Sequence, residues 1–217
     1  MSAADHTQDH GDDFQPKSFA FTEANLAEAK KHIAKYPQGR QASAVMPLLW
    51  LAQYQEGWVS RAAMDVVADM LDMAPIRVYE VATFYTMYNL KPVGKHLIQV
   101  CRTTPCWLRG ADALTEHCKK KLGIGLSETT ADGKFTLMEV ECLGACVNAP
   151  MVQINDDFYE DLTPETLGKV LDELAAGRQP KIGPQVDRLN SAPVGGMTTL
   201  KDIPQRSANS QNTGAGE

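Results

Sequence analysis

Two tight pairs of cysteines constrain this chain more than any other feature. The first lies in VCRTTPCW, where Cys101 and Cys106 flank a polar Arg-Thr-Thr-Pro run. The second lies in ECLGACVNAP, where Cys142 and Cys146 flank Leu143-Gly144-Ala145. The pattern is C-x4-C, an intervening stretch at 107–141, then C-x3-C. Each pair follows a short run that reads as a strand, HLIQVC before the first and KFTLMEVEC before the second. If the two strands are neighbours in one sheet, both loops emerge at the same end and four sulfurs can converge.

Three chemistries use thiols spaced this way. Structural zinc accepts C-x2–4-C knuckles, although x2 is commoner and such sites usually staple folds too small to stand alone. Thiol–disulfide exchange wants C-x-x-C at a helix start, and the sequence has none. A [2Fe–2S] cluster needs two thiolates on each iron, hence two cysteine pairs on curved backbone, and fits better. Thr103-Thr104-Pro105 offers hydroxyls and a fixed bend. Leu143-Gly144-Ala145 is small and flexible, so backbone N–H groups can approach sulfur. Arg102 and Arg109 would offset the negative charge of a four-thiolate cluster. All-cysteine ligation implies a low potential, on the order of −400 mV. The fifth cysteine, Cys118, sits on the apolar face of a helix expected over 108–123 and reads as a buried, inert thiol. His96 and His117 have no ligand spacing to any cysteine and read as surface or core-edge residues. No side chain reads as catalytic.

The rest of the composition removes function classes. A formal net charge of −6 over 217 residues argues against binding a phosphate backbone, which needs clustered Lys and Arg. The lysines of CKKKLG sit at a helix end, where they complement the helix dipole. No apolar run approaches the ~18 residues of a membrane span; ASAVMPLLWLA suits a buried helix instead. The opening MSAADHTQDHGDDFQ has neither the basic start of a secretory leader nor the arginines of a mitochondrial one. The expected location is therefore the cytoplasm, or another compartment as a processed form. Five cysteines make a poor disulfide framework in such a chain.

The expected fold class is α+β. Residues 1–20 read as a flexible N-terminal arm. Residues 21–90 carry four helical patterns, at 22–37, 43–57, 60–73 and 75–90, with Thr22 and Ser60 as caps and Pro75 at a helix start. They predict an N-terminal four-helix bundle. Residues 91–178 read β-α-β-β-α, a thioredoxin-like domain with helices covering a small mixed sheet. Its last helix, DLTPETLGKVLDELAAG, has Thr163 as cap, Leu167, Val170, Leu171 and Leu174 inward, and Gly177 as stop. Ala149-Pro150, just before a strand, stands where such folds keep a cis proline. Residues 179–217 are rich in Pro, Gly, Ser, Asn and Gln and predict a disordered or extended tail, free or laid along a partner.

PVGKHLIQVCRTTPCWLRG, EVECLGACVNAPMVQIND and TPETLGKVLDEL together resemble the small [2Fe–2S] thioredoxin-like subunit of NADH:quinone oxidoreductase, respiratory complex I. QASAVMPLLWLAQYQEGWVS and IRVYEVATFYTMYNLKPVGKH resemble the helical part of that family, so the likeness spans roughly residues 20–178. It implies Cys101, Cys106, Cys142 and Cys146 as ligands of one [2Fe–2S] cluster, with Cys118 outside the set. It further implies a flavoprotein partner that binds FMN and NADH, and other peripheral-arm subunits, with no nucleic acid and no direct membrane insertion. On this resemblance the chain is an electron-transfer subunit with no complete active site of its own, and it contains no glycine-rich nucleotide fingerprint. It would sit at the inner face of a bacterial plasma membrane, or in the mitochondrial matrix as a processed form. The same module occurs in NAD-linked hydrogenases and formate dehydrogenases, and a stand-alone thioredoxin-like ferredoxin is a further alternative.

Overall fold

The computed structural model describes residues 14–193, 195–196 and 198–199. The first part of the expected arm and most of the expected far tail lie outside the described residues. The chain separates into two compact units: residues up to His96 with Thr129–Thr136, and Leu97–Glu128 with the residues from Leu137 onward.

Four helices dominate the first unit. Helix α1 (Glu23–Ala34) opens where the Thr22 side chain accepts the Asn25 N–H. A 3₁₀ turn at Gln41–Ala44 leads into α2 (Val45–Glu56). Gly57 stops α2 with φ of 82°, a left-handed conformation that costs glycine nothing, and returns its N–H to the Gln53 carbonyl. Helix α3 (Arg61–Leu71) is capped by Ser60, whose hydroxyl accepts the Ala63 N–H at 3.2 Å. Helix α4 (Pro75–Phe84) starts on its proline. Leu48, Leu49, Ala52, Ala63, Val67, Ala68 and Val78 form the dry centre between these helices.

Helix α4 ends six residues before the sequence pattern suggests, with Tyr85 already extended. The reason lies on α2. The buried Gln53 amide accepts the Asn89 N–H at 2.6 Å and donates to the Met87 carbonyl at 2.9 Å. These bonds satisfy backbone groups in a returning turn instead of a helix, and Tyr88 adds a hydroxyl bond to the Met46 carbonyl. The described end of the arm is tied down too: Phe14 packs on Trp58, and the Gln15 side chain accepts the Arg61 N–H.

The other unit holds most of a five-stranded sheet in the order β2-β1-β3-β4-β5. Strand β1 (His96–Cys101) leads to a short helix α5 (Thr104–Leu108) and then α6 (Ala111–Leu122). Strand β2 (Phe135–Val140) follows, then the hairpin β3 (Val152–Ile154) and β4 (Asp157–Glu160). Helix α7 (Pro164–Ala175) carries a capping box in which Thr163 and Thr166 bond reciprocally. Strand β5 (Gly183–Pro184) closes the order. Strand β3 runs antiparallel to β1 and β4, and β5 runs parallel to β4. His96 bonds to Lys134 and Arg102 to Val140, so β1 and β2 advance together and are parallel.

The single helix expected over 108–123 is two helices. Gly110, at φ of 95°, breaks it, and Leu108 is 70% exposed instead of lying on the buried face. Ala111, Leu114 and Cys118 are buried as their spacing requires. The inward set on α7, Leu167, Val170, Leu171 and Leu174, is also buried. The Ala149–Pro150 bond is cis. The segment after Gly177 is extended and lies on its own domain, a placement the sequence did not suggest: Tyr159 pairs with Gly183, and Gln185 donates its N–H to the Glu160 carbonyl.

Candidate metal centre

The site begins with the parallel pairing of β1 and β2. Arg102, one residue past the end of β1, donates its N–H to the carbonyl of Val140, the last residue of β2, at 3.1 Å. The two strands therefore finish level and release their loops at the same end of the sheet. Side chains lace the loops further, with the Thr103 hydroxyl donating to the Glu141 carboxylate at 3.3 Å. On the other side of β1, Cys101 donates its N–H to the Met151 carbonyl.

The four sulfurs gather in this corner. Cys101 and Cys106 are 2% and 1% exposed, packed with Ala111, Ala149 and Met151. Cys142 and Cys146 are exposed, and their sulfurs lie 3.5 Å apart. Cys106 interacts with Cys101 in its own pair and electrostatically with Cys146 in the other, as Cys146 does with Cys101. Gly144, at φ of 88°, supplies the sharp bend inside the second pair. Arg102 ion-pairs with Glu139 at 3.6 Å, while Arg109 reaches the Ala149 carbonyl beside the cis proline.

Crowding decides the electrostatics. Burial pushes the Cys106 thiol up to about 12, and its bond with Cys101 adds to that, while a backbone bond from Met151 opposes them. The Cys146 thiol is raised first by its bond with Cys142 and next by burial. The raised Cys106 and Cys146 thiols resist becoming thiolates unless cations share the site. Metal capture here must therefore release protons.

The donor set suits iron and sulfide. Four soft thiols in two pairs, one backbone N–H already aimed at sulfur, and a glycine-bent loop are what a four-thiolate [2Fe–2S] cluster requires. Among the described residues, no three His, Cys, Asp or Glu side chains stand in a metal-ligating arrangement. Cys118 stays apart, fully buried on α6 with its thiol pushed up to about 12 by burial alone. His96 packs against Phe135, and His117 lies against Gly168 on α7.

Three features around the site had no local signal in the sequence. The Met151 backbone bond depends on how β3 meets the first cysteine loop. Asn148, just after Cys146, is fully buried and donates to Glu160 and to the carbonyl of Asn190. Arg188 pairs with Asp161, 27 positions away in sequence.

Comparison with known proteins identifies the family. Residues 29–175 match the thioredoxin-like [2Fe-2S] ferredoxin family. The chain is 55% identical over 193 residues to an NADH-quinone oxidoreductase E subunit of Rhizobium meliloti, covering 88% of this chain and 70% of that protein. It is 61% identical over 158 residues to the corresponding E subunit of Rickettsia conorii, covering 72% of this chain and 95% of the relative. It is also 52% identical over 187 residues to the mitochondrial NADH dehydrogenase [ubiquinone] flavoprotein 2 of Dictyostelium discoideum, covering 86% of this chain and 76% of that one. Among solved structures, a NAD+-reducing [NiFe]-hydrogenase in its air-oxidized state shares the fold, with a TM-score of 0.53 at 19% identity, over 60% of this chain and 23% of that one. A sheet whose neighbouring strands end in two facing cysteine pairs is thus set in a sequence more than half identical to these relatives, and the chain belongs to the thioredoxin-like [2Fe–2S] ferredoxin family that includes the E subunits of NADH-quinone oxidoreductase.

Proposed function

We propose that Cys101, Cys106, Cys142 and Cys146 are the ligands of one [2Fe–2S] cluster, and that the chain is the subunit of NADH:quinone oxidoreductase that exchanges single electrons with the FMN of an NADH-binding flavoprotein. The observation that carries this reading is the meeting of both cysteine pairs at the level ends of β1 and β2. When bound, the cluster supplies one-electron redox chemistry without making a covalent bond to substrate. The chain's own residues would do the rest. Cys101 and Cys106 provide a buried, rigid half of the cradle, Cys142 and Cys146 an exposed half that closes over it, and Met151 a backbone donor toward sulfur.

A partner surface adjoins the site. Trp107, Leu108 and Val147 are 56%, 70% and 67% exposed; Trp107 and Val147 directly follow Cys106 and Cys146, and Leu108 follows Trp107. Large apolar side chains left open beside a redox site suit docking against another protein. No helix among the described residues is long and apolar enough to cross a membrane. The proposed place is the peripheral arm, at the inner face of a bacterial plasma membrane.

The test is co-expression of the full chain with a flavoprotein subunit of the same enzyme class. A brown complex holding flavin, iron and sulfide, whose cluster is reduced on adding NADH, is the expected result. An iron-loaded chain that remains separate and is not reduced through the flavoprotein would favour a stand-alone ferredoxin.

A further inference from the structure

The segment after α7 does more than extend the chain. Strand β5 joins the sheet edge, and beyond it Arg188 turns inward, its side chain only 6% exposed. Its Nη1 lies 3.0 Å from Asp161 Oδ1, on a carboxylate itself 11% exposed, and its Nε donates to the Ala192 carbonyl at 3.0 Å. Two residues further on, the Asn190 carbonyl accepts the Asn148 side-chain amide at 2.9 Å. Asn148 is fully buried and donates also to Glu160 at 2.8 Å, while its own carbonyl accepts the Asp161 N–H at 2.8 Å.

Asn148 is the last residue of the 3₁₀ turn Cys146–Asn148. The network therefore grips that turn from the side of the C-terminal segment. The two halves of the cysteine site are held very differently. Cys101 and Cys106 are packed into the core, whereas Cys142 and Cys146 are exposed on a glycine-bent loop. A three-residue turn has little stability of its own. Its shape depends on what Asn148 is tied to.

We propose that Arg188, Asp161 and Asn148 are positioning residues for the Cys142–Cys146 loop, and that the segment around residues 185–192 is a clasp that holds this exposed half in ligating register. The proposal rests on the four-cysteine reading above. Removing Arg188 leaves the Asp161 carboxylate buried without its cation, next to Glu160, whose carboxyl is already raised by burial and by the Asp161 charge. The strain of that unpaired charge falls on the Asp161–Asn148 connection and so on the turn holding Cys146.

The test uses the full-length, cluster-loaded chain and the variants Arg188→Ala, Arg188→Lys and Asp161→Asn. The readouts are far-UV circular dichroism, iron content, the paramagnetic resonance spectrum of the reduced protein, and the rate of bleaching in excess chelator. Outer partners of metal ligands commonly change affinity by about 10–100-fold, so Arg188→Ala is expected to bleach roughly tenfold faster or more, with an altered resonance spectrum. Arg188→Lys, which keeps a cation facing Asp161, is expected to recover most of the original rate. Asp161→Asn tests the same contact with a nearly isosteric side chain and is expected to accelerate release as well. Bleaching at the parent rate with an unchanged spectrum in folded Arg188→Ala or Asp161→Asn would overturn the clasp. Acceleration that lysine does not reduce would also overturn it, since generic loosening needs no specific ion pair. A parent chain that binds no iron at all would sink the ligand reading, and the clasp with it.

Discussion

Replacing Gly94 by alanine tests how tightly the ladder that levels the two cysteine loops is specified. Gly94 is not in a left-handed conformation, so its role is close approach alone. A Cβ there would sit 2.9 Å from both the carbonyl carbon and the nitrogen of Phe135, and 3.0 Å from the carbonyl carbon of Lys134. All three are backbone atoms, so no side chain can swing aside. The preferred separation of carbon atoms is about 3.5–4.0 Å, so the β2 backbone would have to retreat by roughly half an ångström or more. That retreat stretches the bond from the Gly94 N–H to the Thr136 hydroxyl, now 2.7 Å, and the Thr136–Thr129 hydroxyl contact beside it. Overpacking costs about 1–3 kcal/mol and a broken buried bond about 1–3 kcal/mol; one relaxation serves both, so we expect a loss of about 2–4 kcal/mol. Urea denaturation followed by circular dichroism measures it. Gly→Ala at an unstrained position would stabilise by about 0.4–1 kcal/mol through the unfolded state, so the sign is diagnostic. A change below about 0.5 kcal/mol, or a gain, would refute the close-approach argument.

Other expectations follow from single contacts. Ser60→Ala removes the hydroxyl that accepts the Ala63 N–H inside a buried cap, and is expected to cost about 1 kcal/mol in the same denaturation assay; Ser60→Gly should cost less. Burial pushes the Tyr88 phenol up to about 12, and the neighbouring Tyr85 adds to it. Its folded value is above its unfolded value near 10, so its contribution is complete below pH ~10 and is lost as pH rises through about 12. Tyr159 is shifted the same way, so Tyr88→Phe is expected to flatten, not abolish, the alkaline fall in stability. Cys118→Ala, at a fully buried site outside the proposed ligand set, is expected to leave iron content unchanged while lowering stability by about 1 kcal/mol. Loss of iron in that variant would mean that the ligand set is misassigned.

Much of the fold was legible because it is encoded locally. Thr22, Ser60 and Thr163 announce helix starts through their own side chains, and each accepts the backbone N–H its position calls for. The inward face of α7 follows from spacing alone. Legibility failed where a distant group decided the outcome. Gln53 ends α4 early by bonding Met87 and Asn89, more than 30 positions away. The break at Gly110 was ambiguous, because glycine is compatible with a helix interior as well as a left-handed stop. At the site, the cysteine spacing pointed to two loops leaving one end of a sheet, and β1 and β2 do finish level there. Arg188 and Asn190 were invisible as supports because a segment rich in Pro, Gly and Asn gives no periodic signal. Their role exists only once the chain has folded back onto Asn148 and Asp161.

The most direct measurement is iron, sulfide and zinc analysis of the full chain and of Cys→Ser variants at each of the five cysteines, with paramagnetic resonance of the reduced protein. The four-cysteine assignment predicts about two irons and two sulfides per chain and a resonance signal on reduction. Serine at Cys101, Cys106, Cys142 or Cys146 should destroy or shift that signal, and serine at Cys118 should leave it intact. A colourless protein carrying stoichiometric zinc, or an unchanged signal when one of the four is replaced, would contradict it.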